Sequence, residues 1–127
     1  QRLALGDPAA HELDPAIAPD QSFMVFDANY AGKDKPDRLY IVFREGDGWS
    51  RPVDLGEAVN RYEPWGPHLG PDARTLYFTS NYTAKTSYPR SPAQARADLA
   101  RMRAWDNGNN HIWRVSLAPW LDARHLP

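Results

Sequence analysis

The chain has 127 residues and a formal net charge of −1, from 15 basic and 16 acidic side chains. That balance excludes the basic excess on which general nucleic-acid and membrane-surface binding depend. The absence of cysteine excludes disulfides and thiolate metal sites, and no apolar run reaches the ~18 residues of a membrane-inserted helix.

With 12 Pro, 8 Gly, 5 Trp and 6 Tyr, the composition favours short strands joined by turns, and the length fits one domain over residues 1–127. In chain order, Pro19-Asp20-Gln21-Ser22 reads as a turn, because Pro presets φ and Asp bonds its own backbone. The stretch Phe23–Phe26 is dense in strand formers, as is Arg38–Arg44. Glu45-Gly46-Asp47-Gly48 is a hairpin loop, and Trp49–Val53 is the expected fourth, outer strand, with Pro52 suited to an edge. Pro71-Asp72-Ala73-Arg74 is a second turn, followed by a strand at Thr75–Phe78. Ser91-Pro92-Ala93-Gln94 then matches a capping box with Pro at the first helical position. Ala95, Leu99 and Met102 follow at helical spacing, and Asn107-Gly108 stops the helix, which is expected over about 91–106. A final strand is expected at His111–Leu117.

The two halves repeat one another. Pro19 and Pro71, Asp20 and Asp72, Phe26 and Phe78, Asn29 and Asn81, and Tyr30 and Tyr82 are each 52 positions apart, without a gap. Tyr40 has its counterpart in Trp113, so the second copy carries an insertion of 21 residues, the one that holds the helix. A unit of about 40–50 residues holding several short strands is the mark of a propeller blade. The expected fold is therefore all-β: two four-stranded blades, one over about 12–60 and one over about 62–118, with one inserted helix.

These residues resemble a known family. Glu12-x-x-Pro15-x-Ile17-x-Pro19-Asp20, an aromatic-rich strand ending near Asn29, and the third-strand pairs Leu39-Tyr40 and Ile112-Trp113 are similar to the PD-type, WD40-like repeat of TolB-like β-propellers. Gly48-Trp49-Ser50-Arg51-Pro52-Val53-Asp54-Leu55-Gly56-Glu57-Ala58-Val59-Asn60 resembles the segment that joins blades in the bacterial envelope subgroup. The chain departs from the family pattern at Gln21 and Ala73, where the family has a left-handed Gly. It also departs at Arg38 and His111, where Asp is usual, and at Tyr30 and Tyr82, where Arg is usual. The resemblance implies a partial propeller in the periplasm or cell envelope.

Catalytic signatures are missing: no G-x-S-x-G elbow and no His-Glu-x-x-His helix occurs, so no catalytic residue, metal ligand or cofactor is assigned. Ser80 sits at a repeat position held by Ala28 and reads as structural. His11, Glu12 and Asp14, and the run Asp106–Asn110, read as solvated loops lacking a calcium-loop pattern. Asn81-Tyr82-Thr83 is a formal glycosylation sequon, without meaning in a bacterial chain. Two groups point to binding instead. One is the arginine set of the insertion, Arg90, Arg96, Arg101 and Arg103, against Asp98, because guanidinium forks recognise carboxylates and phosphates. The other is the loop-proximal aromatics Tyr30, Trp49, Tyr62, Trp65, Tyr82, Tyr88 and Trp105. Tyr30, Tyr82, Tyr88, Arg96, Arg101 and Arg103 are the candidate binding residues.

The expected function is a non-catalytic binding or scaffolding module. Its alternatives are the propeller portion of a prolyl-oligopeptidase-like hydrolase and a sugar-binding propeller assembled from short chains. Closed propellers have typically 4–8 blades, so faces carrying Phe23, Val25, Leu39 and Ile41 are expected to need a cover. That cover would come from a protein partner, from self-association into a homo-oligomer, or from the remainder of a longer propeller. The Ala95/Leu99/Met102 stripe is expected to rest on the neighbouring blade, with the arginines facing outward.

Overall fold

The computed structural model describes residues 2–3, 5–82, 88–104 and 107–125. Trp105 and Asp106, at the expected end of the helix, and Thr83 of the sequon lie outside these. Among the described residues the chain is mostly β, with eight strands in two antiparallel sheets and three short helices. None of those helices is long and apolar enough to cross a membrane.

The first sheet pairs β1 (Glu12–Ile17), β2 (Phe23–Ala28) and β3 (Arg38–Glu45) in that order. The outer edge of β3 is taken by β4 (Gly48–Trp49) and β5 (Val53–Asp54). The single outer strand expected over Trp49–Val53 is therefore split, around Pro52, which has no N–H to give a ladder. Ser50 bridges the break: its N–H donates to Phe43 O at 2.8 Å and its Oγ accepts from Phe43 N–H at 3.0 Å. Helix α1 (Glu57–Asn60) then delivers Asn60 to the same edge. Its Oδ1 accepts from Leu39 N–H at 2.7 Å and its Nδ2 donates to Leu39 O at 3.0 Å. The amide thus acts as one more strand residue and closes the edge.

The second sheet pairs β6 (Trp65–Leu69), β7 (Thr75–Ser80) and β8 (His111–Ser116). Four strands are expected and three are found among the described residues. After β8 the chain turns into α3 (Ala118–Asp122), because Leu117 and Leu121 recur at the helical period and both are fully buried.

The repeat is a repeat of backbone devices. The β1–β2 ladder shifts register between Leu13 and Ala16, and the β6–β7 ladder shifts between Trp65 and His68. At these bulges Asp14 (φ 47°) and Gly66 (φ 60°) stand 52 positions apart, as do the flanking Pro15 and Pro67. Gln21 (φ 60°) and Ala73 (φ 50°) keep the left-handed turn without a glycine. Asp20 Oδ1 accepts from Ser22 N–H, and Asp72 Oδ1 accepts from the N–H groups of Arg74 and Thr75. These bonds hold both carboxyls below their ordinary range.

Side-chain alternation sends Phe23, Val25, Leu39, Ile41 and Phe43 to one face of the first sheet, where they pack on Leu76, Phe78, Leu117 and Leu121. Met24, Phe26, Ala28, Tyr40 and Val42 go to the other face, under Leu5, Tyr30 and Trp49. The face expected to meet water is therefore covered within the chain. The open face belongs to the second sheet, where Tyr77, Ile112, Arg114 and Ser116 are exposed. Trp120, half-buried, packs against the same core as Leu121.

Candidate functional site

The inserted helix α2 (Pro92–Arg101) starts as the sequence requires. Ser91 Oγ accepts from Gln94 N–H at 3.2 Å, and Gln94 Oε1 accepts from Ser91 N–H at 2.8 Å. The two bonds satisfy donors left over at a helix start. Not one residue of α2 is buried. Leu99 and Met102 are 64% and 66% exposed, so the stripe does not rest on the neighbouring sheet as expected. A stripe of three residues, one of them Ala, is too narrow to seat a helix on the sheet.

The segment leading into α2 is fixed on the helix itself. Arg90 stacks on the ring of Tyr88, 4.3 Å from its centroid, donates to the Tyr88 hydroxyl, and forms an ion pair with Asp98 at 2.6 Å. Tyr88 itself is 74% exposed. Arg96, Arg101 and Arg103 are exposed, as expected. Leu99 lies three residues after Arg96, so an apolar side chain neighbours a guanidinium group on one helix face, and Arg103 follows in the turn after the helix. The structure thus joins four of the six candidate residues, Tyr88 and the three arginines, in one protruding element.

Tyr30 and Tyr82 lie outside this element. Tyr30 donates its hydroxyl to Glu12 Oε1 at 2.6 Å and meets Tyr40 edge-on at 4.8 Å between centroids. Burial and this bond push its phenol up, and a Cβ on Gly6 would come within 2.5 Å of the ring. Tyr82 meets Tyr62 edge-on at 4.2 Å and Trp113 at 6.2 Å. The two repeat-equivalent tyrosines are packing residues at the same end of their sheets. Trp49 is likewise used, under the Arg44 guanidinium, and Trp105 lies outside the described residues.

The remaining polar candidates are occupied as well. His11 Nε2 lies 2.9 Å from Asp37 Oδ1, Glu12 accepts from Tyr30, and Ser80 Oγ donates to Tyr62 O at 2.5 Å. Among the described residues no three His, Asp or Glu side chains converge in a way that could hold a metal. Arg38 grips Asp54 through Nε and Nη2 (2.7 and 3.2 Å) and reaches Glu57 at 2.8 Å. Burial alone would raise the Asp54 carboxyl, but hydrogen bonds from Arg38, Gly56 N–H and Asn60 hold it below its ordinary range.

One buried group escapes sequence reading. Asp27, at the end of β2, is 2% exposed. Its Oδ1 has no hydrogen-bond partner. Burial, then the nearby carboxylates of Asp14 and Asp37, push it up to about 6. Beside it, Asp14, Ile17, Gly66 and His68 line an open groove of about 540 Å³ between β1 and β6. The signal was an acidic residue inside a β-forming run, which periodicity alone cannot tell from a solvent-facing position.

No family model, curated protein or solved structure matches the chain.

Proposed function

We propose that the chain is a non-catalytic binding module: two propeller-like repeat units that present the α2 insertion to a partner protein, in the periplasm or cell envelope. The observation that carries this reading is a ten-residue helix with a complete N-terminal capping box, of which nothing is buried. An isolated helix this short is marginal in water. Its sequence nevertheless sets a complete capping box and the Arg90 clamp around an exposed Leu99/Met102 strip, with Arg96 beside Leu99 and Arg103 in the turn that follows. Apolar residues at i and i+3 on a helix are anchors for a groove, and exposed guanidinium groups beside them select a partner with carboxylates at its rim. The envelope setting is what the resemblance of Gly48–Asn60 implies.

The test is site-specific photo-crosslinking in cells. A photoreactive residue at Leu99 should give a protein adduct of discrete mass. That adduct should disappear when Arg96, Arg101 and Arg103 are changed together to Glu, while the same probe at Val53 gives none. The triple change to Ala should leave stability within about 0.5 kcal/mol per site. An adduct that survives the charge reversal, or unfolding of the Ala variant, would overturn the reading.

A further inference from the structure

The outer edge of β8 is an open sheet edge. Leu117 N–H donates to Arg74 O at 2.7 Å, as Arg44 N–H donates to Ser22 O at 2.8 Å in the first sheet. Backbone groups alternate sides along an antiparallel strand. Trp113 and Val115 therefore direct theirs to β7, while Ile112, Arg114 and Ser116 direct theirs away from the sheet. The equivalent positions of β3 are Leu39, Ile41 and Phe43. They are closed by Asn60 and Leu55, by Val53 and by Ser50 respectively. Among the described residues nothing closes β8. The described residues beyond it are committed elsewhere, with Leu121 in the core and Arg124 paired to Glu45 at 3.0 Å. Ile112 is 81% exposed, the most exposed large apolar side chain among the described residues. Proline and bulges, which guard natural edges, are missing from β8.

We propose that β8 pairs antiparallel with β8 of a second copy of this chain, joining two three-stranded sheets into one six-stranded sheet across a twofold axis. The strand is suited to itself in one register. With Ile112 opposite the partner's Arg114, and the reverse, about four N–H···O bonds form between outward-facing groups. Each Ile112 then lies against the aliphatic stem of a guanidinium side chain. Shifting by one pair one way sets Arg114 against its own copy, a like-charge opposition that antiparallel sheets disfavour; shifting the other way sets Ile112 against its own copy and moves Arg114 opposite Asn110, outside the strand, which leaves about two bonds within it. A net charge of −1 leaves little repulsion between whole molecules. This surface is separate from α2, so its test and the crosslinking test fail independently.

Sedimentation equilibrium on the whole chain decides it, run from about 1 to about 300 μM, where an interface of this small class dissociates. The wild-type mass should climb from one chain of 14.4 kDa to two and stop. Arg114→Pro removes an N–H that points away from β7, so the intramolecular ladder is kept; it should stay monomeric with an unchanged circular dichroism spectrum. Ile112→Arg should weaken association at least tenfold, by facing Arg114, whereas Ile112→Asp should hold or tighten it. A wild-type monomer at every concentration, growth beyond two chains, or equal weakening by both Ile112 substitutions overturns the proposal. The Ile112 pair decides it even if Arg114→Pro fails to fold.

Discussion

Asp27→Asn isolates a carboxyl that is, among the described residues, the one buried in the core against its charge. An Asp moved from its ordinary 3.8 to about 6 resists ionisation by about 3 kcal/mol, at about 1.4 kcal/mol per pH unit. Relaxation of the strand end on ionisation reduces the measurable part to roughly 1–2 kcal/mol. The folded-state value is raised, so the native chain binds more protons than the unfolded chain between pH 3.8 and 6. Its stabilisation is complete below 3.8 and is lost as pH rises through 6. The variant lacks this dependence. Its amide N–H₂ at the unpartnered Oδ1 site adds a cost that does not change with pH. Thermal melts of both proteins from pH 4 to 7.5 therefore read the difference: the variant gains on wild type by about 1–2 kcal/mol across that span, or roughly 4 °C per kcal/mol in Tm. Other titrating groups cancel in the comparison. A difference that is flat with pH would refute the burial argument, and a gain on going to lower pH would reverse its sign.

Two further outcomes follow from the backbone. Gln21→Gly and Ala73→Gly each relieve a left-handed residue worth about 1–2 kcal/mol, against about 0.4–1 kcal/mol of added unfolded-chain entropy. Urea denaturation should show each variant about 0.5–1 kcal/mol more stable than wild type. Asn60→Ala strips the buried Leu39 N–H of its partner and leaves Leu39 O with the Leu55 N–H alone; it should cost about 1–3 kcal/mol, with a lowered urea midpoint and unchanged slope as the check.

The sequence was most legible where one residue does one local thing. Ser91, Pro92 and Gln94 act only within their own turn, so the capping box could be read without any tertiary knowledge. The same holds for the Asp20 and Asp72 turns and for the left-handed Gln21 and Ala73, all marked by the 52-residue spacing. Less was legible where partners lie far along the chain. Tyr30 and Tyr82 read as binding aromatics from their loop-proximal places, and their packing partners cannot be read from those places. Their environment is set by Glu12 and Gly6 in one case, and by Tyr62 and Trp113 in the other. Leu117 and Leu121 have too little sequence around them to separate a short helix from a fourth strand, and only the core they fill decides it. Leu99 and Met102 mislead in the opposite sense, since an apolar stripe predicts contact and the neighbouring sheet offers none.

The two sheets keep the same turns and bulges but differ in the residues between them, and their positions explain the difference. The first sheet lies between the N-terminal segment and the second sheet, so both of its faces must be apolar. All six residues of β2 are buried. Among the described residues the second sheet packs on the first and leaves its other face open. Its equivalents of Phe23, Val25, Ile41 and Phe43 are Thr75, Tyr77, Arg114 and Ser116, and they make the open face largely polar. Ile112, the equivalent of Leu39, is the exception. Four positions of that face have become polar or amphipathic and the fifth has not, and the fifth lies on the strand whose edge is unpaired. Desolvating Ile112 by stacking a further sheet on this face would bury the Arg114 charge with it, at high cost without a partner. Pairing along the edge covers Ile112 and leaves the guanidinium at the rim in water, which is why the composition of the face favours edge association over face-to-face stacking.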